Sequence, residues 1–503
     1  MISAAGVLEH VIINYRWVFV CLFLLPVSVL YDAWMYARNW LIFRLSSAPK
    51  NHVGKVHSIQ VQVKRWRAQG MRAPMCTARP GWQTISFRQP KYKKTFHKID
   101  VNLVDILDID TERQVVRLEP MVTMGQLTAT LNPLGWTLPI IPEMDDLTVG
   151  GLVMGTGVES SSHRFGLFQH ICLELELVLS DGSVVTCSRE ENADLFHAVF
   201  WSYGTLGFLT AVQVRIVPAR PYVRLQYRPV HDRSQLSRLL TEVSGGPHQF
   251  VETLVFDRDR AVVMTGDLVG HAEPTAEPHK VNTIGLWHKP WFFKHVQTFL
   301  ERGEDYEYIP LRDYYHRHTR AIFWEIQDII PFGNNPVFRW LCGWMVPPKV
   351  SLLKLTQGQT IKELYEKNHF IQDMLVPLDQ LDSSLDVFHR EVEIYPLWLC
   401  PFVLPADPGF LQPASGKEQM YIDIGAYGVP RTVNFDAVKT GRRIEKFVIS
   451  VGGFQMMYAD SFMTREEYRT MFDHSLYDKV RRRFDCLIAF PEVYDKVNRS
   501  ARD

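Results

Sequence analysis

Residues 147–166 read LTVGGLVMGTGVESSSHRFG, and the fold of the whole chain turns on what this stretch is for. Gly150, Gly151, Gly155, Gly157 and Gly166 and the run Ser160-Ser161-Ser162 share it, with Glu159, His163 and Arg164 as its charged or chargeable members. So many positions without a Cβ suit a backbone pressed against another group rather than a helix or a strand. Successive backbone N–H groups and serine hydroxyls can ring an anion such as a pyrophosphate. No Gly-Lys-Ser/Thr follows, which excludes a Walker loop, and a dinucleotide fingerprint would have to open a helix. On composition alone the stretch is either a flexible connection or a phosphate cradle. Its flanks decide.

From about Val53 to Pro218 the flanks alternate short strands and helices. Val56–Trp66 has the spacing of an amphipathic helix, and Arg79-Pro80-Gly81-Trp82 is a turn. Asn102–Leu107 is short and apolar, and Gln114–Glu119 alternates like a strand. Thr123 is placed to cap a helix over MGQLTATL that Pro133 and Gly135 close. Beyond the glycine stretch, Leu173–Leu179 and Ser183–Cys187 flank the turn Asp181-Gly182 as a hairpin. A short helix over Asn192–Val199, capped by Asn192 or Asp194, leads to the turn Gly204-Thr205-Leu206-Gly207 and a strand over Val212–Val217. After Tyr222, strands alternate with longer helices. Thr253–Val269 reads as a hairpin, Ile361–Gln372 as a helix and Gln419–Tyr427 as a strand, and Gly452-Gly453 ends a helix that includes Glu445–Val451.

The chain has 503 residues, 46% hydrophobic and 22% charged, enough for two or three domains with a sizeable core. Lys+Arg and Asp+Glu are 55 each, so no global charge draws it to nucleic acid. Cys21, Cys76, Cys172, Cys187, Cys342, Cys400 and Cys486 lack CxxC or Cys/His spacing, which points to reduced thiols and no metal site. Trp17–Tyr31 carries no charge. It is either the core of a bilayer-crossing helix, completed by Asp32 and the aromatic Trp34–Tyr36, or a buried or interfacial one. Arg38, Arg44, Lys50, Lys55, Lys64, Arg65 and Arg67 follow it, which puts the bulk of the chain on the cytosolic side.

The order "helix ending in GW, GGL-x-MGTG-x-ESSSH-x-x-G, ELVL-x-DG, N-x-DLF, GTLGF, strand, P" resembles the FAD-binding domain of the vanillyl-alcohol-oxidase/p-cresol-methylhydroxylase superfamily. RPGW, PEMDDLTVGGL, ESSSHRFGLFQHIC, DIIPFGNNP, GWMVPPK and DIGAYG are, more narrowly, similar to the Δ24-sterol reductase (24-dehydrocholesterol reductase) family, over nearly the whole chain. The resemblance implies an α+β fold. It comprises an N-terminal membrane anchor (1–45), a two-part FAD-binding domain (46–219) and an α+β substrate cap (220–503) with an aromatic, membrane-facing region at 283–348. It implies FAD on Thr148, Val149, Gly150, Gly151, Leu152, Val153, Met154, Gly155, Thr156, Gly157, Val158, Glu159 and Ser160. Ser161, Ser162, His163 and Gly166 lie adjacent, and Gly204, Thr205 and Gly207 form a second contact. Trp82 stands where many relatives of the superfamily carry a flavin-linked histidine, so the FAD is expected to be non-covalent.

The same resemblance implies NADPH as hydride donor and reduction of the isolated Δ24 double bond of a sterol, as from desmosterol to cholesterol. An unconjugated alkene is a poor hydride acceptor, so an acid must protonate it in a dry pocket. Tyr315, His316 and His318 are the expected catalytic residues, with Tyr314, Arg317, Glu325, Asp328, Asp423 and Tyr427 as further candidates. Arg/His-rich 312–320 offers a seat for an NADPH phosphate instead. Trp287, Trp291, Phe292, Phe293, Phe323, Trp324, Phe332, Phe338, Trp340 and Trp344, with Lys289, Lys294 and His295, form either a membrane interface or the core of the cap. The resemblance further implies a single-pass protein of the endoplasmic reticulum or Golgi membrane that contacts lipid and associates with other sterol-biosynthesis enzymes. The competing readings are a flavin oxidase or dehydrogenase on the same fold and a non-enzymatic sterol-binding protein.

Overall fold

The computed structural model describes residues 15–46, 48–84, 89–349, 352, 353, 363 and 366–502. Its first half pairs β1 (Met75–Thr77) with β2 (His97–Ile99) in parallel. A five-stranded antiparallel sheet follows, built from β3 (Ile106–Asp110), β4 (Val115–Leu118), β6 (Cys172–Val178), β7 (Val184–Ser188) and β8 (Phe208–Arg215) in the order β3-β4-β8-β6-β7. The short β5 (Trp136–Thr137) and β9 (Val217–Pro218) pair beside it. Helix His52–Ala68 buries Val56, Ile59, Val63 and Trp66, the expected one-sided stripe. His52 and Lys55 fasten it to the sheet through Glu119, at 2.8 and 2.6 Å. Thr123 caps helix Met124–Leu131 by accepting from Gln126 N at 3.1 Å. Asn192 precedes helix Ala193–Val199 in a left-handed conformation, and its side chain makes no cap bond.

The glycine stretch departs from the expected loop. Val149–Met154 is a helix, with Thr148 as its cap accepting from Gly151 N. The glycines serve packing as much as exposure. A Cβ on Gly150 would lie 2.7 Å from Pro120 Cβ, and one on Gly157 would lie 2.8 Å from Leu152 Cδ2 and 2.9 Å from Pro142 Cγ. A turn of helix forms because these bare positions let it sit directly against its neighbours.

The second half is an eight-stranded sheet of β10 (Tyr222–Val230), β11 (Phe250–Val255), β12 (Ala261–Val269), β13 (Asp305–Pro310), β14 (Phe370–Pro377), β15 (Leu397–Leu404), β16 (Gln419–Gly428) and β17 (Phe454–Gln455). Their order is β13-β10-β12-β11-β15-β16-β14-β17. The expected hairpin is β11–β12. The helix expected over Ile361–Gln372 is corrected at its end, because Phe370–Gln372 opens β14; residues 363 and 366–368 are helical, and 361, 362, 364 and 365 lie outside the described residues. The register pairs Leu254 with Trp398, Cys400 with Asp423 and Leu375 with Asp423. Side chains alternate along a strand, so Glu252, Trp398, Cys400, Asp373, Asp423 and Tyr427 share one face. Helix Ala437–Ser450 packs on the other face, where Val448 and Val376 meet at Gly453. The end of the chain returns to the first half: Tyr477 Oη lies 2.7 Å from Thr205 Oγ1, and Ser180 Oγ donates to Phe484 O at 2.7 Å.

The N-terminal segment is helical from Arg16 to Ser46, with a π-helical turn over Val20–Leu24, and Arg16–Ala37 is long and apolar enough to cross a membrane. One side of it packs on the body of the protein through Val20, Leu24, Leu25 and Ser28. The three apolar side chains contribute about 1.5–3 kcal/mol each. Ser28 Oγ accepts from Lys349 N at 3.1 Å, and Trp17 meets Phe332 edge-on at 5.0 Å. The aromatic region divides. Trp291, Phe292, Phe293 and Trp324 are core residues, at 1–3% exposure, which corrects the membrane-facing expectation for them. Trp340 and Trp344 are 61% and 58% exposed, with Val337 and Leu341 beside them, and the turn Gly343–Met345 packs against the N-terminal helix.

Candidate active site

Segment 139–166 lies against the polar face of the eight-stranded sheet. Ser160 O accepts from Val251 N of β11 at 2.7 Å, and His163 Nε2 lies 2.9 Å from His248 O. The serines are spent on this docking rather than on a ligand. Ser160 Oγ bonds Tyr314 Oη (2.9 Å), Ser161 Oγ donates to Pro139 O (2.7 Å), and Ser162 Oγ accepts from Glu159 N (2.9 Å). The hydroxyl ring expected around an anion is therefore replaced by a knot of internal bonds. Free donors lie just upstream. Among the described residues, the N–H groups of Thr156, Gly157 and Val158 meet no protein acceptor, and the buried Thr156 Oγ1 has no partner.

Cations without counterions gather beside these donors. Lys93 Nζ donates to Thr77 O and, at 2.9 Å, to Thr77 Oγ1; Lys496 Nζ donates to Tyr203 O. Tyr203 N in turn donates to Met154 O at 2.9 Å, which brings the lysine crevice to Gly155. A Cβ on Gly204 would lie 3.7 Å from Lys496 Nζ. Arg79 is near enough to Lys93 for the two to repel, and its Nε is buried without a partner. Neither Lys93 nor Lys496 has a carboxylate within ion-pair distance among the described residues. Burial, with Lys93 close by, pushes the Lys496 ammonium down to about 8. Such a crevice lacks an anion.

At the eight-stranded sheet the arrangement is the reverse. Arg317 is fully buried and forks onto Glu252, with Nε to Oε1 at 2.6 Å and Nη2 to Oε2 at 2.8 Å, while Nη2 also reaches Glu159 Oε1 at 2.5 Å. Trp398 Nε1 donates to Glu252 Oε2 at 2.9 Å, and His318 Nε2 lies 3.2 Å from the same oxygen. Beyond this ion cluster, in which Glu159 Oε2 and His318 Nδ1 still lack partners, stand Glu143, Asp373 and Asp423, with no further cation against them among the described residues. Burial and then the charge of Glu159 push Glu143 well above the carboxylate range. Burial pushes Asp373 up to about 6, although Tyr427 and Tyr458 donate to it. Asp423 is wholly buried, and neither of its oxygens has a hydrogen-bond partner.

Residues 76–188 match the FAD binding domain family. The chain is 57% identical to the Delta(24)-sterol reductase of Homo sapiens over 98% of its own length and 96% of the human protein's. The belongings widen with the Delta(24)-sterol reductase homolog dhcr-24 of Caenorhabditis elegans, 47% identical over 98% and 96%, and the Delta(24)-sterol reductase of Pisum sativum, 38% over 97% and 92%. This chain belongs to the Δ24-sterol reductase family.

A Δ24-sterol reductase is an FAD-dependent oxidoreductase of the vanillyl-alcohol-oxidase type, and its expected site residues divide by partner. Tyr315 Oη accepts from Thr137 Oγ1 at 3.0 Å. His316 is held by Thr128 Oγ1 (2.8 Å), Glu143 O (3.1 Å) and Asp145 Oδ1 (2.6 Å). His318 stacks on Phe323 at 4.6 Å, and burial lowers its pKa despite Glu252. Arg317 and Arg320 are engaged too, the second with Lys289 O and Pro290 O at 2.8 and 2.7 Å, so neither is open to a phosphate. Thr205 Oγ1 is taken by Ser202 O and Tyr477 Oη, and a Cβ on Gly207 would press on Val178 O at 3.0 Å. Sequence reasoning missed Lys93 and Lys496 as neighbours. No motif joins residues 403 positions apart (496 − 93).

Proposed function

We propose that this chain reduces the Δ24 side-chain double bond of desmosterol and related sterols, with non-covalent FAD as relay and NADPH as donor. The observation that carries the reading is a division of charge among the described residues: Lys93 and Lys496 stand near Gly155 without a carboxylate partner, and Asp423 stands on the buried face of the eight-stranded sheet with neither oxygen hydrogen-bonded. The cationic end suits the pyrophosphate of FAD, held by the N–H groups of Thr156, Gly157 and Val158, Thr156 Oγ1, Lys93, Lys496 and Arg79. The acidic end suits a substrate that must be protonated before it accepts hydride. Bound flavin supplies the hydride transfer itself. The C-terminal helices from Ser475 onward work with the FAD half, since Lys496 closes its crevice. A flavin oxidase would need no store of carboxyl protons, and a sterol-binding scaffold would need no unpaired cations.

The test is a purification followed by two additions. The protein is expected to be yellow, to release its flavin on acid precipitation, to bleach with NADPH under nitrogen and to recover its colour with desmosterol. Flavin left in the precipitate would contradict the non-covalent assignment, and recovery with air but not sterol would favour the oxidase.

The N-terminal helix and the exposed Val337, Trp340, Leu341 and Trp344 form the surface that meets the endoplasmic-reticulum membrane, with the body in the cytosol. Each such side chain is worth on the order of 1.5–3 kcal/mol in lipid, so Trp340→Asp with Leu341→Asp should lower turnover of vesicle-delivered sterol about tenfold or more. Turnover of detergent-delivered sterol should hold. Equal losses in the two formats would contradict this.

A further inference from the structure

We infer that Asp423 is the acid that protonates the substrate alkene, with Asp373 and Glu143 as the neighbours that keep it charged with a proton. The inference rests on the alkene-reductase reading above and names the group that reading leaves open.

The placement is set by β16. Alternation along Gln419–Gly428 puts Asp423, Gly425 and Tyr427 on the face turned toward segment 139–166. Asp373 pairs with Gly425, so it stands diagonally from Asp423 on the same face, at the spacing of close cross-strand neighbours. Gly425 has no side chain to separate them: a Cβ there would lie 2.8 Å from Asp373 Oδ1.

Among the described residues, Asp423 is a buried carboxyl with neither oxygen hydrogen-bonded; those oxygens offer about four acceptor sites, none of them filled. An ionised carboxylate so placed would be prohibitively costly, and the neutral acid costs far less. The charged and titratable groups around it are Asp373 and Tyr427 on the sheet, Tyr458 beyond β17, Cys400 on β15, and Glu143 opposite. The cation beyond them, Arg317, is already shared by Glu159 and Glu252. Burial, then Asp373, then Glu143 hold Asp423 well above the carboxylate range. Tyr315 and His316, by contrast, have their polar atoms engaged within the protein.

In the step, the Asp423 carboxyl gives its proton to the less substituted alkene carbon. The π pair forms that C–H bond, and the tertiary carbon left electron-poor takes a hydride, with its electron pair, from the reduced flavin. Bound FAD would supply that hydride, giving up two electrons that NADPH would replace; the sterol gains two hydrogens, and Asp423 ends as a carboxylate that solvent reprotonates by way of Glu143 or Asp373.

The test uses the full chain, loaded with FAD in detergent, with its two half-reactions followed separately. Asp423→Asn keeps shape and neutrality. It should leave flavin reduction by NADPH within about threefold of wild type while slowing desmosterol-dependent reoxidation by roughly 10²–10⁴-fold. Slowing by less than that, or loss of flavin reduction as well, overturns the assignment. Asp373→Asn supplies a second readout that a merely structural role would not move. The wild-type reoxidation rate should fall as rising pH ionises Asp423, and removing the neighbouring charge should shift that fall to lower pH. An unmoved profile overturns the assignment. Failure of wild-type enzyme to be reoxidised by desmosterol would instead sink the reductase reading itself.

Discussion

Arg317→Leu should destabilise the protein by about 3–5 kcal/mol, a large part of the roughly 5–15 kcal/mol that holds a typical domain folded. Arg317 sits where segment 139–166 meets β11, with Glu159 on one side and Glu252 on the other, all three buried. Its ring-facing contact with Tyr314, 4.4 Å from the centroid, adds to the loss. Removing the guanidinium leaves two carboxylates in a dry junction with no cation. The pH dependence should invert with it. In wild type, burial tends to raise Glu252, but Arg317 and His318 outweigh it and hold its pKa below the usual range. That contribution is present above the unfolded carboxylate pKa and is lost as the pH falls. In the variant Glu252 loses the cation that lowers its pKa and burial prevails, so the deficit should shrink as the pH falls and grow as it rises. Denaturant unfolding across pH measures this. A loss below about 1 kcal/mol, or one independent of pH, would show that the junction does not depend on the ion triad.

Lys93→Met and Lys496→Met should each weaken FAD binding about 10–100-fold, since a hydrogen bond to a charged group contributes roughly 1.5–3 kcal/mol. The losses should exceed those at exposed lysines, because among the described residues neither ammonium has a carboxylate to satisfy it, and the anion supplies what the crevice lacks. Burial holds Lys496 at about 8 in the unliganded protein. Below that pH the ammonium is already charged and affinity should be flat. Above it, binding must take up a proton, so affinity should decline with rising pH. Lys496→Met should remove much of that slope. Flavin titration of deflavinated protein, read by flavin fluorescence, tests this without any turnover. Unchanged dissociation constants would place the pyrophosphate elsewhere.

Much of the fold could be read from periodicity. The stripe of Val56, Ile59, Val63 and Trp66, the Thr123 cap and the β11–β12 hairpin are local patterns, and the local reading of each agrees with the structure. The helix at Val149–Met154 could not be read that way. Its Gly150 answers to Pro120, as Gly157 beyond it does to Pro142, and such packing partners carry no local signal. The same limit explains Trp291 and Trp324, whose aromatic character fits a membrane surface or a core equally well until the chain is folded. Asp423 lay within reach of the sequence: in QMYIDIGAYG, an acid amid apolar alternation on a buried strand has few structural uses. Lys93 and Lys496 did not, because their pairing exists only once the last helices fold back onto the first half.

In the proposed reaction this chain passes a hydride and a proton to an isolated sterol alkene. One anaerobic single-turnover experiment tests it most directly. Enzyme reduced with one equivalent of NADPH is mixed with desmosterol, flavin absorbance is followed, and the sterol is analysed by mass. The account predicts recovery of oxidised flavin in step with a sterol heavier by two hydrogens. Flavin that stays reduced beside unchanged desmosterol, and recovers its colour only when oxygen is admitted, would contradict it.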